Sequence, residues 1–306
     1  MKALVTGGAG FIGSHITDRL IALGHDVVIV DNLATGRMEN LNSQAKFYLM
    51  DLRRPELSKL FEHEKIDIIF HQAAQMDVRK SVADPLYDAD ANIRGGLNLL
   101  QTAVNHGVKK VVLASSGGVA YGEQETFPCD ETHPLRPISP YGVAKVTMEK
   151  YCYYYAVEFG LKYAALRYAN VYGPRQNPKG EAGVVSIFIN KMLEGTQPVI
   201  NGDGKQTRDY VFVEDVVEAN MLAMNFDGNE AFNVGTGIET DVNEIFHHLN
   251  KLTGNNAQET HGPGKSGEQK RSVLDCQKIK SVLGWQPKTA LPLGLEKTVQ
   301  YFRDLG

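Results

Sequence analysis

The sequence predicts an α/β protein: a doubly wound parallel sheet, followed by a smaller and discontinuous C-terminal α/β lobe. Two observations support this. Short apolar runs rich in β-branched residues alternate with amphipathic helical stretches up to about residue 167, and three glycines follow the first run directly. Strands that alternate with helices form βαβ units, which build a parallel sheet covered by helices on both faces. Beyond residue 167, glycine, proline and asparagine interrupt the pattern, which predicts the separate lobe.

The elements are predicted in chain order from this alternation. The apolar runs predicted as strands of the sheet are Ala3 to Thr6, Val27 to Val30, Phe47 to Met50, Ile66 to Phe70, Val111 to Ser115 and Tyr163 to Arg167. The stretches between them predicted as helices cover roughly 11–24, 56–64, 84–106 and 140–159. Later elements are a strand and helix over Tyr210 to Met224, a strand at Phe232 to Val234, and short helices around 241–252, 275–283 and 292–303.

These elements predict a division into two domains. The first comprises residues 1–169 together with a returning segment at about 210–235, and it should bind the cofactor. The lobe comprises about 170–209 and 236–306, and it should bind the substrate. A polar loop over 255–269 is expected inside the lobe, where a loop of this length usually carries function or is disordered.

Composition excludes several classes of protein. The chain has 306 residues, with 32 Lys plus Arg against 36 Asp plus Glu and a net charge of −4, which argues against a broad nucleic-acid-binding surface. The three cysteines form no CxxC or metal-ligand spacing, so we expect no disulfide framework and no metal. No run of 18 apolar residues occurs, and the N-terminus lacks a signal-peptide core. We expect a cytoplasmic protein that binds neither nucleic acid nor membrane.

A cofactor site is predicted at the first strand-to-helix turn. Gly7, Gly10 and Gly13 form GxxGxxG there, a turn that lets backbone N–H groups approach a pyrophosphate, as in the Rossmann fold. Asp31 ends the second strand, 18 residues after Gly13, where its carboxylate can accept from ribose hydroxyls and repel a 2′-phosphate. This favours NAD over NADP, although Arg37 nearby weakens the preference. The alternative is a structural glycine turn with Asp31 as a solvated strand end.

A catalytic pair is predicted where the fourth long helix begins. Tyr141 and Lys145 form a YxxxK after Ser139-Pro140, so they lie one turn apart on one helix face. An ammonium about 6 Å from a phenolate stabilises it by about 3 kcal/mol at an effective dielectric near 20, which makes the tyrosine a usable general base. Ser115 and Ser116 end the preceding strand and are alternative hydroxyls for holding a substrate oxygen. The alternative reading is an amphipathic helix with a core tyrosine and a solvated lysine.

Several segments, in order along nearly the whole chain, resemble a known family. They are TGGAGFIG at 6–13, HQAAQ at 71–75, NIRGGLNLL at 92–100, YGVAK at 141–145, RYANVYGPRQ at 167–176 and TRDYVFVEDV at 207–216. Together they resemble the extended short-chain dehydrogenase/reductase family, and within it the short bacterial and archaeal UDP-glucose 4-epimerases.

The resemblance implies which residues bind the cofactor and the substrate. It implies bound NAD contacted by Gly7, Gly10, Phe11, Ile12, Gly13, Asp31, Asn32, Asp51, Leu52, Ala73, Ala74, Gln75, Asn92, Tyr141 and Lys145. It implies a UDP-sugar contacted by Ser116, Tyr141, Asn170, Val184, Arg208, Lys265, Arg271 and Ser272. Arg208 suits a diphosphate because its guanidinium is a planar fork of donors; the alternative is a surface ion pair with Asp203 or Asp209. The small Ser272 leads us to expect that N-acetylated sugars are accepted.

The resemblance also implies a reaction, in which a UDP-hexose is epimerised at carbon 4 through a 4-keto intermediate. Tyr141 takes the hydroxyl proton, Lys145 assists it, and Ser116 holds the sugar. Two positions depart from the family pattern: Gly117 stands where Ser or Thr is frequent, which leaves the hydroxyl to Ser116, and KSGE at 265–268 replaces Arg-Pro-Gly-Glu.

Related activities remain as alternatives. A UDP-glucuronate 4-epimerase or decarboxylase needs a cation near the sugar carboxylate, which the sequence does not locate. A dTDP-glucose 4,6-dehydratase is disfavoured, since Gly117-Gly118 stand where it has an Asp-Glu pair. A non-catalytic NAD-sensing protein commonly lacks the Tyr or the Lys.

A homodimer is expected from two long helical stretches, Tyr87 to His106 and Tyr141 to Phe159. Both carry apolar residues on more than one face, which suggests a four-helix bundle between two copies. Deeper burial within one subunit is the alternative.

Overall fold

The computed structural model describes residues 1–178, 183–264 and 269–305. A seven-stranded parallel sheet, in the order β10-β6-β5-β4-β1-β2-β3, forms its centre. Its strands are β1 (Lys2–Thr6), β2 (Asp26–Asp31), β3 (Lys46–Leu49), β4 (Ile68–His71), β5 (Lys110–Ser116), β6 (Lys162–Tyr168) and β10 (Asn229–Val234). The predicted fold class is therefore confirmed.

Helices cover both faces of this sheet. Those of the first domain are α1 (Phe11–Ala22), α2 (Leu57–Glu64), α3 (Val78–Ala83), α4 (Pro85–Ala89), α5 (Gly95–Asn105), α6 (Gly117–Ala120), α7 (Pro140–Phe159) and the returning α9 (Val213–Asn225). One apolar core packs α1 and α9 onto one face, and a second packs α2, α5 and α7 onto the other. Burial on both faces explains why the strands read as continuous apolar runs.

The lobe contains a smaller sheet in the order β11-β9-β7 and a two-stranded pair, β12-β8. Its strands are β7 (Asn170–Tyr172), β8 (Ile200–Asn201), β9 (Thr207–Phe212), β11 (Glu239–Asp241) and β12 (His261–Gly262). Its helices are α8 (Val184–Leu193), α10 (Val242–Thr253), α11 (Gln277–Leu283) and α12 (Leu291–Leu305). A third apolar core joins α8, α10 and α12 to β7 and β9.

The structure differs from the sequence prediction at a few elements. The predicted helix over 84–106 is α4, a π-helical turn at Asp90–Arg94 and α5 in succession. Helices α3 and α8 were not predicted. The segment Val184–Leu193 is strongly apolar, but glycine- and proline-rich segments lie on both sides of it. The predicted loop over 255–269 contains β12, and its residues 265–268 lie outside the described part of the chain.

The described residues form neither a membrane-spanning helix nor a metal-binding cluster. None of the helices in this part of the chain is both long and apolar enough to cross a membrane. The same residues contain no group of three or more His, Cys, Asp or Glu side chains that could hold a metal ion.

Candidate active site

The glycine turn between β1 and α1 is closed so tightly that side chains are excluded from it. Gly7 has a φ of +71°, and a Cβ there would lie 2.7 Å from the Ala73 nitrogen. A Cβ at Gly13 would lie 2.2 Å from the Gly7 carbonyl oxygen. Gly10 is the N-cap residue of α1 and has no side chain that could bind the first N–H groups of the helix. Those groups are therefore left for a ligand. The turn therefore has the form of a pyrophosphate cradle.

The two residues after Gly10 take different places. Phe11 is buried in the apolar core of the lobe, so only its backbone can face a cofactor. Ile12 is partly buried and packs against the cores of both the first domain and the lobe. The start of α1 thus joins the lobe to the cradle.

Asp31 lies at the end of β2 beside this turn. It is 8 % exposed, and its carboxylate accepts hydrogen bonds from the backbone nitrogens of Ala9 (3.0 Å) and Leu33 (2.8 Å). Burial raises the pKa of Asp31, and these backbone bonds oppose that rise. The two N–H donors fix the carboxylate while leaving lone pairs for ribose hydroxyls. Arg37 is bound to Glu39 (3.3 Å) and Asn177 (3.2 Å).

The residues predicted at the adenine side also come together. Asn32 Nδ2 donates to Asp51 Oδ2 at 3.0 Å, which joins the ends of β2 and β3. Arg53 lies against the same carboxylate and holds the pKa of Asp51 well below its usual range. Leu52 is buried beside them at 9 % exposure.

Behind β4, the chain segment at 73–75 is fixed by Asn92. The Gln75 nitrogen donates to Asn92 Oδ1 (2.8 Å), and Asn92 Nδ2 donates back to the Gln75 carbonyl (2.9 Å). The Ala73 nitrogen is bound to Thr6 Oγ1 at 3.3 Å, and Ala74 is partly buried between them. Asn92 lies in the π-helical turn, a feature frequent at functional sites.

The predicted catalytic pair lies at the first turns of α7. Ser139 caps the helix, its Oγ accepting from the Gly142 nitrogen at 3.1 Å, and Pro140 follows it. Lys145 Nζ lies 5.5 Å from the centre of the Tyr141 ring and donates to the Ala114 carbonyl at 2.7 Å. Burial lowers the pKa of the Lys145 ammonium to about 8.

The structure separates the two serines that the sequence left as alternatives. Ser115 is buried and donates its hydroxyl hydrogen to Glu149, away from the cleft. Ser116 is less buried, and a Cβ built on Gly118 would lie 3.8 Å from Ser116 Oγ and 3.9 Å from Asn170 Oδ1. Ser116 and the exposed Asn170 thus face the same glycine.

The substrate side is assembled from distant segments. The Thr207 nitrogen donates to the Lys270 carbonyl (3.0 Å), and the Ser272 nitrogen donates to the Thr207 carbonyl (3.2 Å). This pairing sets residues 270–272 beside Arg208, whose guanidinium donates to the Thr207 carbonyl at 2.8 Å. Asp209, one alternative partner of Arg208, receives its bonds from Thr236, Gly237 and Leu274 instead.

Three further residues were predicted to contact the substrate, and they lie in different surroundings. Arg271 is exposed and forms two bonds with Glu239, at 2.9 and 2.6 Å, while stacking on Phe127 at 3.8 Å. Val184 is the first residue of α8. Lys265 lies outside the described residues.

Sequence reasoning missed the buried polar groups behind the site. Arg167 binds Glu149 through two hydrogen bonds (3.0 and 2.6 Å) and donates to the Tyr121 hydroxyl at 2.9 Å. Glu149 follows Lys145 by four residues, a spacing that could have revealed it. Asp88, which accepts from Gln75 and Asn92, gave no signal in the sequence pattern.

These observations fit a bound dinucleotide. The closed glycine turn admits a pyrophosphate against α1, the fixed Asp31 carboxylate offers acceptors for a ribose, and the Tyr141–Lys145 pair lies at the end of β5. The fold and the site together define an enzyme class, the dinucleotide-dependent enzymes of the short-chain dehydrogenase type. The chain belongs to the NAD dependent epimerase/dehydratase family, whose model matches residues 3–235.

Comparisons with individual proteins agree with this family. The UDP-glucose 4-epimerase of Mycolicibacterium smegmatis is 45% identical over 310 residues, covering 99% of each chain. A crystal structure of the UDP-glucose 4-epimerase of Thermotoga maritima with UDP-glucose has a TM-score of 0.98 and 50% identity, covering 100% of this chain and 99% of that one. The enzyme of Thermus thermophilus, in complex with NAD, has a TM-score of 0.94 and 43% identity, covering 99% of each. The predicted family and cofactor are thereby confirmed.

Proposed function

We propose that this protein is a UDP-hexose 4-epimerase that interconverts UDP-glucose and UDP-galactose with NAD as its bound cofactor. The observation that carries the proposal is the Lys145 ammonium 5.5 Å from the Tyr141 ring, at the strand end where Ser116 lies. Full-length similarity to UDP-glucose 4-epimerases supports the choice of substrate.

Each residue of the pair has a distinct part in the proposed reaction. Bound NAD supplies the means to oxidise carbon 4 of the sugar and to reduce it again. Tyr141, as the phenolate, takes the proton of the 4-hydroxyl and gives it back after the sugar has turned over. Lys145 stabilises the phenolate electrostatically, and Ser116 holds the same oxygen by a hydrogen bond.

Turning the sugar over requires that binding energy be placed away from the reacting ring. We propose that Arg208 and Asn170 supply this binding energy by contacting the nucleotide diphosphate. They lie on the adjacent strands β9 and β7 of the small sheet. Val184, Lys265 and Ser272 complete the proposed substrate set, and Arg271, which is held by Glu239, is assigned a weaker contact. The hexose itself then needs few fixed contacts.

Tyr141→Phe tests the proposed function. It should lower turnover of UDP-galactose by at least about 10³-fold, since it removes the only acid–base group of the proposal. Bound NAD should stay near wild-type content. Tyr301→Phe, on α12 of the lobe, is the control and should retain full activity. Near-wild-type epimerisation by Tyr141→Phe would show the assignment to be wrong.

We also propose that N-acetylated sugars are accepted, because the small Ser272 lies next to Arg208 through its bond to Thr207. Separate assays with UDP-glucose, UDP-N-acetylglucosamine and UDP-glucuronate distinguish the substrates. Turnover of the second supports this proposal, and its absence removes it. Decarboxylation of the third, with no 4-epimerisation of the others, would favour the decarboxylase alternative.

We propose a homodimer formed through α7 and the helices beside it. Leu86 is 82% exposed, and Val143, Tyr153, Tyr154 and Val157 on α7 are also exposed. A hollow of about 560 Å³ on this face is lined by the polar Asp88 and Ser139 and by the apolar Pro85, Ala89, Ile93, Pro137, Ile138, Pro140 and Val143. An apolar face of this extent is typical of a subunit interface.

Sedimentation tests the dimer. The wild type should have twice the monomer mass of 33.7 kDa. Val157→Glu should sediment as a monomer, because it places a charge in the proposed interface, whereas Val282→Glu on α11 should not. A monomeric wild type would contradict the proposal.

We further propose that the protein works in the reducing cytoplasm. Cys129, Cys152 and Cys276 are free. Burial raises the pKa of all three thiols, so they are poorly reactive at neutral pH.

The proposed domains follow the two sheets. We assign 1–169 and about 210–235 to the NAD domain, supported by β10 pairing with β6 and by α9 packing on α1. The UDP-sugar lobe takes about 170–209 and 236–306. Since β9 pairs with β7 and β11 of the small sheet and ends at Phe212, we place the start of the returning segment at Val213, three residues after the predicted 210.

A further inference from the structure

A buried carboxylate that the proposed chemistry leaves unused lies beside the catalytic helix. Asp88, on α4, is 1% exposed, and α4 packs against α7. Its Oδ1 accepts from Gln75 Nε2 (2.9 Å) and Asn92 Nδ2 (3.0 Å). Its Oδ2 is buried and receives no hydrogen bond from any residue that the structure describes. A carboxylate in such a place is costly unless a nearby positive charge stabilises it.

Asp88 lies against the start of α7, since it lines one hollow together with Ser139, Pro140 and Val143, and Lys145 is the buried cation of that helix. The titratable groups around its ammonium are Tyr141 and Glu149 on its own helix, His71 on β4 and Asp88 on α4. Burial lowers the pKa of His71 to about 3, so this side chain is neutral. Asp88 and Glu149 both favour the charged ammonium, and Asp88 does so more strongly.

The two carboxylates differ in how their charge is balanced. Glu149 receives two hydrogen bonds from Arg167 and is therefore neutralised by a buried cation. Asp88 receives only neutral amide donors and makes no ion pair with the described residues. The charge of Asp88 is thus not shared with an arginine, as that of Glu149 is.

We propose that Asp88 is a positioning residue for the epimerase reaction, whose carboxylate keeps the Lys145 ammonium charged and whose Oδ1 orients the Gln75–Asn92 pair. The proposal rests on the proposed function, because the charge of Lys145 matters for its effect on Tyr141. We assign Asp88 no contact with the cofactor or the substrate. It acts through Lys145.

Asp88→Asn removes the charge while preserving the hydrogen bonds. The amide oxygen can accept from Gln75 and Asn92 as Oδ1 does, and the amide nitrogen replaces Oδ2, which has no described donor to lose. Asp88→Glu retains the charge on a longer side chain. Asp84→Asn, one turn earlier and exposed, is the matched control, since asparagine caps a helix as well as aspartate does.

The pH profile of turnover is the first readout. In the wild type, Lys145 loses its proton as the pH rises through about 8, so turnover should fall there. Removing a negative charge that favours the ammonium lowers the pKa of Lys145 further. Asp88→Asn should therefore move the alkaline limb of kcat about one pH unit lower, an effect typical of one nearby buried charge. Asp88→Glu and Asp84→Asn should leave the limb in place.

Direct titration of Lys145 is the second readout and needs no substrate. The ¹³Cε resonance of Lys145, assigned by its loss in Lys145→Arg, should titrate about one pH unit lower in Asp88→Asn than in the wild type. Asp88→Ser provides the same charge removal if Asp88→Asn does not fold. An unchanged Lys145 titration with an unmoved alkaline limb would overturn the proposal. A shifted Lys145 titration in a protein that turns over no UDP-hexose would instead reject the proposed function alone.

Discussion

The cofactor side and the substrate side of the cleft are built from different kinds of chain segment. On the cofactor side, Gly7, Gly10 and Gly13 form their cradle within one turn, and Asp31 is fixed by the backbone nitrogens of Ala9 in that turn and of Leu33, two residues after it. On the substrate side, Arg208 and Arg271 are brought together by pairing between segments more than 60 residues apart. A local cradle depends on backbone space, whereas the substrate side depends on tertiary pairing.

The largest effect on cofactor binding and stability is expected when a side chain is added in the glycine turn on the cofactor side. Gly13→Ala would put a Cβ 2.2 Å from the Gly7 carbonyl oxygen, a clash that only a shift of the backbone can relieve. We expect loss of bound NAD and destabilisation by about 3 kcal/mol or more. The amount of NAD released on denaturation measures the first effect, and the midpoint of thermal unfolding measures the second.

Gly95→Ala is the control for this prediction. It lies inside α5, and its Cβ would meet its nearest atoms at ordinary contact distances of 3.6 Å. Alanine is the better helix former, so this variant should retain NAD and stability. Retained NAD in Gly13→Ala would contradict the cradle assignment.

A smaller effect should separate the two arginines of the substrate side. Arg208→Ala should raise the KM for UDP-galactose roughly 10- to 100-fold, the value of a charge-assisted bond to phosphate. Arg271→Ala should change it less than about fivefold, because Glu239 already occupies this exposed guanidinium. Steady-state kinetics measures both. Equal effects would mean that Arg271 leaves Glu239 to bind the substrate.

The smallest expected effect distinguishes the adjacent serines. Ser116→Ala should lower kcat roughly tenfold through loss of one hydrogen bond, with little change in stability. Ser115→Ala should leave kcat within about twofold but destabilise the fold by about 1–2 kcal/mol, since Glu149 loses a buried donor. Denaturant unfolding and turnover of the same preparations test the pair. A loss of kcat in Ser115→Ala and of stability in Ser116→Ala would assign the substrate hydrogen bond to Ser115 instead.

Much of the fold and of the cofactor side could be predicted from the sequence. The alternation of apolar runs and amphipathic stretches located the strands from Lys2–Thr6 to Lys162–Tyr168 and the helix Pro140–Phe159 within a few residues. The π-helical turn at Asp90–Arg94 could not be predicted, because a single widened turn does not change the apolar pattern. The helix α8 was missed because the glycine-rich flanks outweighed its own apolar content.

The candidate site was predictable to the extent that its residues occur in local motifs. The placement of Tyr141 and Lys145 on one side of α7 followed from helical geometry, since residues four apart lie on one face. The choice between Ser115 and Ser116 did not follow, because it depends on Glu149 lying behind β5. The pairing of Arg271 with Glu239, 32 residues earlier, was equally absent from any local pattern.

The sequence by itself determined the class of sheet, the glycine cradle and the spacing of the catalytic pair, because these depend on backbone periodicity and on residues near one another in the chain. Only the tertiary structure decided that Ser115 is bound to Glu149, that Arg271 is paired with Glu239, and that Asp88 is buried on a helix packed against α7. Those outcomes depend on which distant side chains share a low-dielectric interior, where each charge must be balanced by whatever the fold places beside it.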